Sequence, residues 1–140
     1  LNATKAAIEE GIVPGGGSAL LYAREGIKEK NFGSQIVYQA CGKPFSQILI
    51  NAGYEVVKAE MLAMNLVESK DIWSGYNLKT EQIENLRDAG IIDPTKVTRI
   101  ALESAASVAG TILLTECVVV EDPADKEKAD PMAGMMEGMM

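Results

Sequence analysis

No histidine occurs in the 140 residues, and cysteine occurs only twice, at Cys41 and Cys117. The first absence removes the usual general base and every Ser/His or Cys/His nucleophile pair. The second, with no CxxC spacing, gives no sulfur- or imidazole-based metal site to argue for. A disulfide and a pair of free thiols both fit the count; buried free thiols in a reducing compartment are the expectation. Aromatics make up 5% of the chain and Trp73 is the sole Trp, so a core must come from Ala, Ile, Leu and Val in close helical packing. Basic residues are outnumbered, 13 Lys and Arg against 20 Asp and Glu, for a net charge of −7. That balance argues against nucleic acid as a main partner, because phosphate binding needs a basic surface. No apolar stretch is long and unbroken enough to span a bilayer, and no basic amphipathic anchor is evident, so no membrane partner is expected.

What is present suits one mainly helical domain, with 47% hydrophobic residues. Residues 3–10 read as the last turns of a helix, with Gly11 as its C-cap. Residues 12–14 are extended, since Pro14 pushes Val13 out of the helical region. Gly15, Gly16 and Gly17 follow, and Ser18 opens a helix to about Lys28. Residues 32–52 are helical by spacing, with a break expected near Gly42 and Lys43 because of Pro44. Residues 54–67 form another helix. A turn or short hairpin is expected around Ser74 and Gly75, and a short helix over 81–89 closed by Gly90. Asp93 as N-cap and Pro94 at the first helical position start a long helix to about Thr115. Residues 116–120 are β-branched and read as a single strand that needs an edge elsewhere to pair with. The charged segment after Glu121, and a tail with five of the seven Met, read as disordered.

Four features carry candidate chemistry. Gly15, Gly16 and Gly17 before a helix allow a backbone to approach a ligand, and equally make a flexible turn. Neither a full GxGxxG nor GxxxxGK[ST] is present. Asp93 can cap a helix and still offer an oxygen to a ribose hydroxyl. Asn77 can read a base edge through its amide or serve a hairpin turn. The Met-Gly tail offers soft apolar contact or is a solvated low-complexity end. The pairs Glu9-Glu10 and Glu121-Asp122 read as solvated charges.

The order NATKAAIEEGIVPGGG, GYN, GIIDPTKVTRIALESAASVAG, TECVVVEDP and a Gly-Met tail resembles the C-terminal part of the group I chaperonins, the GroEL-like family. The resemblance covers essentially the whole chain, and is looser between Arg24 and Lys70. It implies that residues 1–10 end the helix of an intermediate domain. Residues 11–121 would belong to an equatorial ATP-binding domain, mainly helical with a short hairpin and one C-terminal strand, and 122–140 would be the tail. It further implies that Gly16, flanked by Gly15 and Gly17, lies against ATP or ADP, that Asn77, Leu78 and Lys79 border the adenine, and that Asp93 holds the ribose hydroxyls. The strand at 117–120 would join an inter-subunit sheet. Where the family usually has small residues after the Asn, this chain has Leu78 and Lys79.

Leu1 opens within a helical spacing, with no initiator Met and no N-cap, so a C-terminal piece of a longer protein is expected. By the same resemblance the catalytic Asp lies upstream of Leu1, so no catalytic residue is assigned here. The phosphate loop, the Mg²⁺ ligand and the apical domain also lie outside this chain. The implied whole is an ATPase that folds unfolded polypeptides inside stacked rings of identical subunits. It would work with a GroES-like co-chaperonin in a bacterial or phage-infected cytoplasm, or in a mitochondrial matrix or plastid stroma. The chain alone would not hydrolyse ATP. The rival readings are a non-enzymatic helical interaction module and a small enzyme using the glycine loop for a phosphorylated substrate.

Overall fold

The computed structural model describes residues 2–120. The chain divides into two compact units, Leu1–Ser104 and Ala105–Met140. The first contains α1 (Asn2–Glu10), β1 (Ile12–Pro14), α2 (Ser18–Ala23) with a 3₁₀ turn at Arg24–Gly26, α3 (Phe32–Asn51), α4 (Val56–Ser69), β2 (Ser74–Asn77), β3 (Gln82–Asn85) and β4 (Ile92–Pro94). The last helix, α5 (Thr95–Leu113), begins in this unit and ends in the second.

The core of the first unit is a short stack of helices. Leu21 of α2, Phe45 and Leu49 of α3, and Ala59, Ala63 and Leu66 of α4 form one buried cluster. The buried positions recur at threes and fours along α3 and α4, as one face of a helix requires. The small Ala59 and Ala63 let α4 approach α3 closely. Val57, Met61 and Met64, also apolar, fall on the opposite side of α4 and stay exposed, as does Val56 in its first turn.

Pro44 does not break α3, which runs unbroken for 20 residues. Proline costs the helix one hydrogen bond. Here Phe45, one residue on, is 2% exposed, and burial of Cys41, Gly42 and Phe45 around the proline holds the helix together. Asn31 caps the start of this helix, its Oδ1 accepting the Ser34 N–H at 2.8 Å. Helix α2 is shorter than expected and tightens into the 3₁₀ turn at Arg24.

Two small antiparallel ladders frame the helices. In the first, β1 pairs with β4 in the register Ile12–Pro94, Val13–Asp93 and Pro14–Ile92. The ladder continues at both ends, with the Gly15 N–H donating to the Ile91 carbonyl at 3.0 Å and the Thr95 N–H to the Gly11 carbonyl at 3.1 Å. In the second, β2 pairs with β3, Ser74 opposite Asn85 and Asn77 opposite Gln82. The helix expected over 81–89 is therefore replaced by strand β3 and a turn. Leu86 explains the change: it is 1% exposed, and its side chain occupies the space above Gly75, where a Cβ would meet its Cδ1 at 2.2 Å. Asn85 then closes the turn by accepting the Arg87 and Asp88 N–H groups.

Ion pairs tie α1 to the first turns of α5. Lys96 pairs with Glu9, and Arg99 binds Glu10 at 2.6 Å and Glu103 at 2.9 Å. The hydrogen bond from Arg99 holds the Glu10 carboxyl below its usual range. A carboxylate with a depressed folded pKa stabilises the fold above its unfolded value and loses that contribution as pH falls through the folded one. Arg99→Ala is therefore expected to lower the denaturant midpoint slightly at neutral pH. The gap to the parent should close as pH drops below the ordinary glutamate value of 4.5 and as salt rises. A gap that persists in acid would assign the loss to Arg99 packing instead.

In the second unit the rest of α5 exposes Val108, Ile112 and Leu113. Residues 117–120 form no strand, and Val118, Val119 and Val120 are all exposed. A strand exists only against a partner edge, and among the described residues none is offered to this one. The Met-Gly tail lies outside the described residues. Both cysteines are free, Cys41 buried and Cys117 exposed, so only one of the two expected buried thiols is found. Burial pushes the Cys41 thiol pKa up, which keeps it protonated and unreactive.

Candidate functional site

The three glycines of the turn answer to three different neighbours. A Cβ on Gly15 would lie 3.1 Å from the backbone carbon and oxygen of Ile91, so this residue lets β4 come close. Gly16 has φ +64° and no atom within 4 Å of a Cβ position, so it needs glycine for its backbone alone. Gly17 has φ +78°, and a Cβ there would lie 2.6 Å from the Phe45 nitrogen. The turn is thus pressed between β4 and the middle of α3. Ser18 follows, 1% exposed, and its Oγ has no partner among the described residues. With six residues, α2 is too short to present the anion site that a full helix N-terminus offers.

The loop from β2 to β3 reaches the same place from the other side. The Lys79 N–H donates to Asn77 Oδ1 at 2.9 Å, and Asn77 Nδ2 donates to Glu84. The Asn77 carbonyl takes the Glu81 N–H at 2.8 Å. Asn77 is 9% exposed, and its amide keeps one N–H and one lone pair beyond these bonds. Its first duty is to shape the loop. Beside it the Tyr76 hydroxyl meets that of Tyr54 at 3.0 Å, with the rings edge to face at 5.8 Å. That hydrogen bond is the main reason the Tyr54 hydroxyl is pushed up to about 12.

Between turn and loop lies a cavity of roughly 260 Å³. Gly16 lines it from the turn, and Tyr76, Asn77, Leu78 and Lys79 from the hairpin. Phe45, Ile48 and Leu49 of α3 and Ile91 before β4 complete it. Of the seven expected site residues, Gly16, Asn77, Leu78 and Lys79 are brought together here. Gly15 and Gly17 brace the turn without lining the cavity. Asp93 does not line it either. It lies two residues beyond Ile91, half-buried, opposite Val13, and its carboxylate takes no hydrogen bond or ion pair among the described residues. Nor is its capping role seen. The first N–H of α5, from Thr95, goes to the Gly11 carbonyl, because Asp93 and Pro94 belong to β4.

Sequence reasoning missed Phe45, Ile48, Leu49 and Ile91. The spacing of 45, 48 and 49 marks one helix face, but nothing local says that this face meets a glycine turn. Two larger clefts, of roughly 430 and 520 Å³, lie beside Arg24 and between α1 and α5, and neither gathers an expected site residue. Among the described residues no group of three or more His, Cys, Asp or Glu could hold a metal ion, and no helix is long and apolar enough to cross a membrane.

Five helices with two small ladders and a cavity between a glycine turn and a hairpin loop form a chaperonin-type fold. A group III chaperonin crystallised in the open state superposes on 81% of this chain with a TM-score of 0.72 and 24% sequence identity, a likeness of fold. The superposed part is 25% of that chaperonin, so this chain spans about a quarter of its length. The sequence profile of the TCP-1/cpn60 chaperonin family matches residues 1–123. The chain belongs to that family.

Proposed function

We propose that this chain supplies the nucleoside-binding part of an ATP-driven, group I-type chaperonin and some of its contacts between subunits. One observation carries the reading. Two segments some sixty residues apart, the glycine turn and the loop after Asn77, border a single apolar cavity. Pockets for whole ligands run to about 300–1,000 Å³, so a cavity of roughly 260 Å³, below that range, suits one planar ring system with the rest of the ligand outside. A purine fits such a site, between Phe45 and Ile48 on one side and Leu78 and Ile91 on the others. Asp93, whose carboxylate has no hydrogen-bond or ion-pair partner among the described residues, is the acceptor proposed for the ribose hydroxyls.

The ring and its substrates belong to the same proposal. Among the described residues, exposed large apolar side chains outnumber the buried ones, on α4, on α5 and at Val118, Val119 and Val120. Such faces ask for cover by further protein. Identical subunits arranged in rings, with residues 117–120 pairing against a neighbouring edge, would provide some of it. Unfolded polypeptide as substrate and a co-chaperonin partner follow from the family reading.

Asp93→Ala in the whole protein is expected to weaken MgATP binding about ten-fold, the worth of one hydrogen bond to a charged group. Calorimetric titration with MgATP measures it. Unchanged affinity would remove Asp93 from the site.

A further inference from the structure

The cleft beside Arg24, of roughly 430 Å³, is floored by two small buried residues, Gly42 of α3 and Ala63 of α4. The Arg24 side chain reaches into the room they leave. A Cβ on Gly42 would lie 2.3 Å from Arg24 Nη1, and outside α3 it would otherwise meet only Cζ of the same side chain. Glycine in a helix interior is a poorer helix former than alanine, so position 42 gives up helix stability to seat a guanidinium.

That guanidinium is held on two sides. Its Cζ lies 4.5 Å from the centre of the Tyr38 ring. Its Nε donates to Glu25 Oε1 at 3.3 Å, and the Tyr38 hydroxyl donates to the same oxygen at 2.7 Å. Nη1 and Nη2 have no acceptor among the described residues, although the side chain is only 14% exposed. Neither is sealed from solvent, because Ser18 Oγ is the one fully buried side-chain polar atom without a partner among the described residues. A guanidinium fixed on one edge and open on the other is a preorganised fork for an oxyanion.

We infer that this cleft binds a small organic carboxylate, end-on through Arg24 Nη1 and Nη2. The two oxygens of a carboxylate match the two parallel N–H groups of such a fork. Lys43 on the wall adds a second positive charge, and Ala63 and Met64 offer apolar surface to a short aliphatic stem. Glu60 also lines the cleft, and it repels a doubly charged phosphate more than a singly charged carboxylate. The volume falls within the about 300–1,000 Å³ usual for small-molecule sites. No residue of this cleft lines the cavity at Gly16, so the inference stands apart from the nucleoside reading.

The test is a titration of the 140-residue chain with butyrate and, separately, with inorganic phosphate. Ionic strength is held constant at about pH 8, where phosphate carries two charges. NMR shifts of the α2 and α3 amides report binding to the parent, Arg24→Lys and Gly42→Ala. Butyrate should saturate the parent in the millimolar range, as two charge-assisted hydrogen bonds imply, and phosphate should bind more weakly. Arg24→Lys keeps the charge and loses the fork, so butyrate affinity should fall about ten-fold. The Gly42→Ala methyl would displace the flexible end of Arg24 and strengthen the helix, so thermal stability should hold while butyrate affinity falls to a similar degree. No saturable shift in the parent, phosphate binding as tight as butyrate, or butyrate affinity unchanged in Arg24→Lys each overturns the inference. So does unchanged affinity in a folded Gly42→Ala.

Discussion

Gly17→Ala is expected to destabilise the first unit by roughly 3 kcal/mol or more, while Gly16→Ala, one residue earlier, costs only about 1 kcal/mol. Both glycines hold left-handed backbones, φ +64° at Gly16 and +78° at Gly17, and any L-residue there bears a strain of about 1–2 kcal/mol. The difference lies in what surrounds them. A Cβ at Gly16 meets nothing within 4 Å, whereas one at Gly17 meets the Phe45 nitrogen at 2.6 Å, the Phe45 Cα at 2.9 Å and the Pro44 carbonyl carbon at 3.0 Å. Those are backbone atoms in the middle of a 20-residue helix, and they cannot rotate away. Relief requires α2 to move off α3, which would open the contact of Leu21 with the buried cluster. Domains of this size are stable by about 5–15 kcal/mol, so the Gly17 loss takes a sizeable share. Urea unfolding of the two variants checks it. Equal shifts in midpoint would mean that backbone strain alone, and not the close approach to α3, fixes glycine at position 17.

Local signals in the sequence located most elements and failed where distant segments decide. The helical spacings of α3 and α4 and the extended 12–14 segment were readable from their own residues. The partner of that segment was not. Val13 pairs with Asp93, far along the chain, and the latter position reads locally as a helix cap. Pairing drew Asp93 and Pro94 into a strand and moved the helix start to Thr95. The 81–89 segment failed for a similar reason. Its Gln, Glu, Leu and Arg favour a helix, but Leu86 is buried over Gly75, and that single long-range contact selects the hairpin. Pro44 misled in the opposite direction, since tertiary packing on both sides kept α3 whole. At the candidate site, Gly16 and Asn77 were visible because turns and amides announce themselves by residue type. Phe45, Ile48 and Ile91 were hidden among many apolar residues of equal standing, and only the fold tells which of them face the cavity. Asn77 shows the converse limit. Its residue type advertised base reading, while the coordinates put its amide to work on the Lys79 N–H and Glu84.

Phe45 joins the two halves of this picture, because its ring belongs both to the buried cluster and to the cavity wall. Phe45→Ala is expected to cost about 3–5 kcal/mol, the usual range for removing a buried aromatic that its surroundings cannot refill. Leu21, Leu49 and Leu66 share the buried cluster with the ring and come from separate helices, so collapse into the void would require three elements to shift together. Phe45→Leu keeps most of the volume and should recover more than half of the loss. The two substitutions separate packing from ligand contact. A planar ring bound in the cavity would keep an aliphatic wall in the Phe45→Leu variant and lose that wall in Phe45→Ala. Nucleoside affinity should therefore fall from the parent through Phe45→Leu to Phe45→Ala, along with the urea midpoint. Phe45→Ala cannot rescue Gly17→Ala, since the clash there is with atoms of the α3 backbone that alanine retains. A double variant markedly more stable than Gly17→Ala alone would show that the ring, not the backbone, is what the glycine at position 17 makes room for.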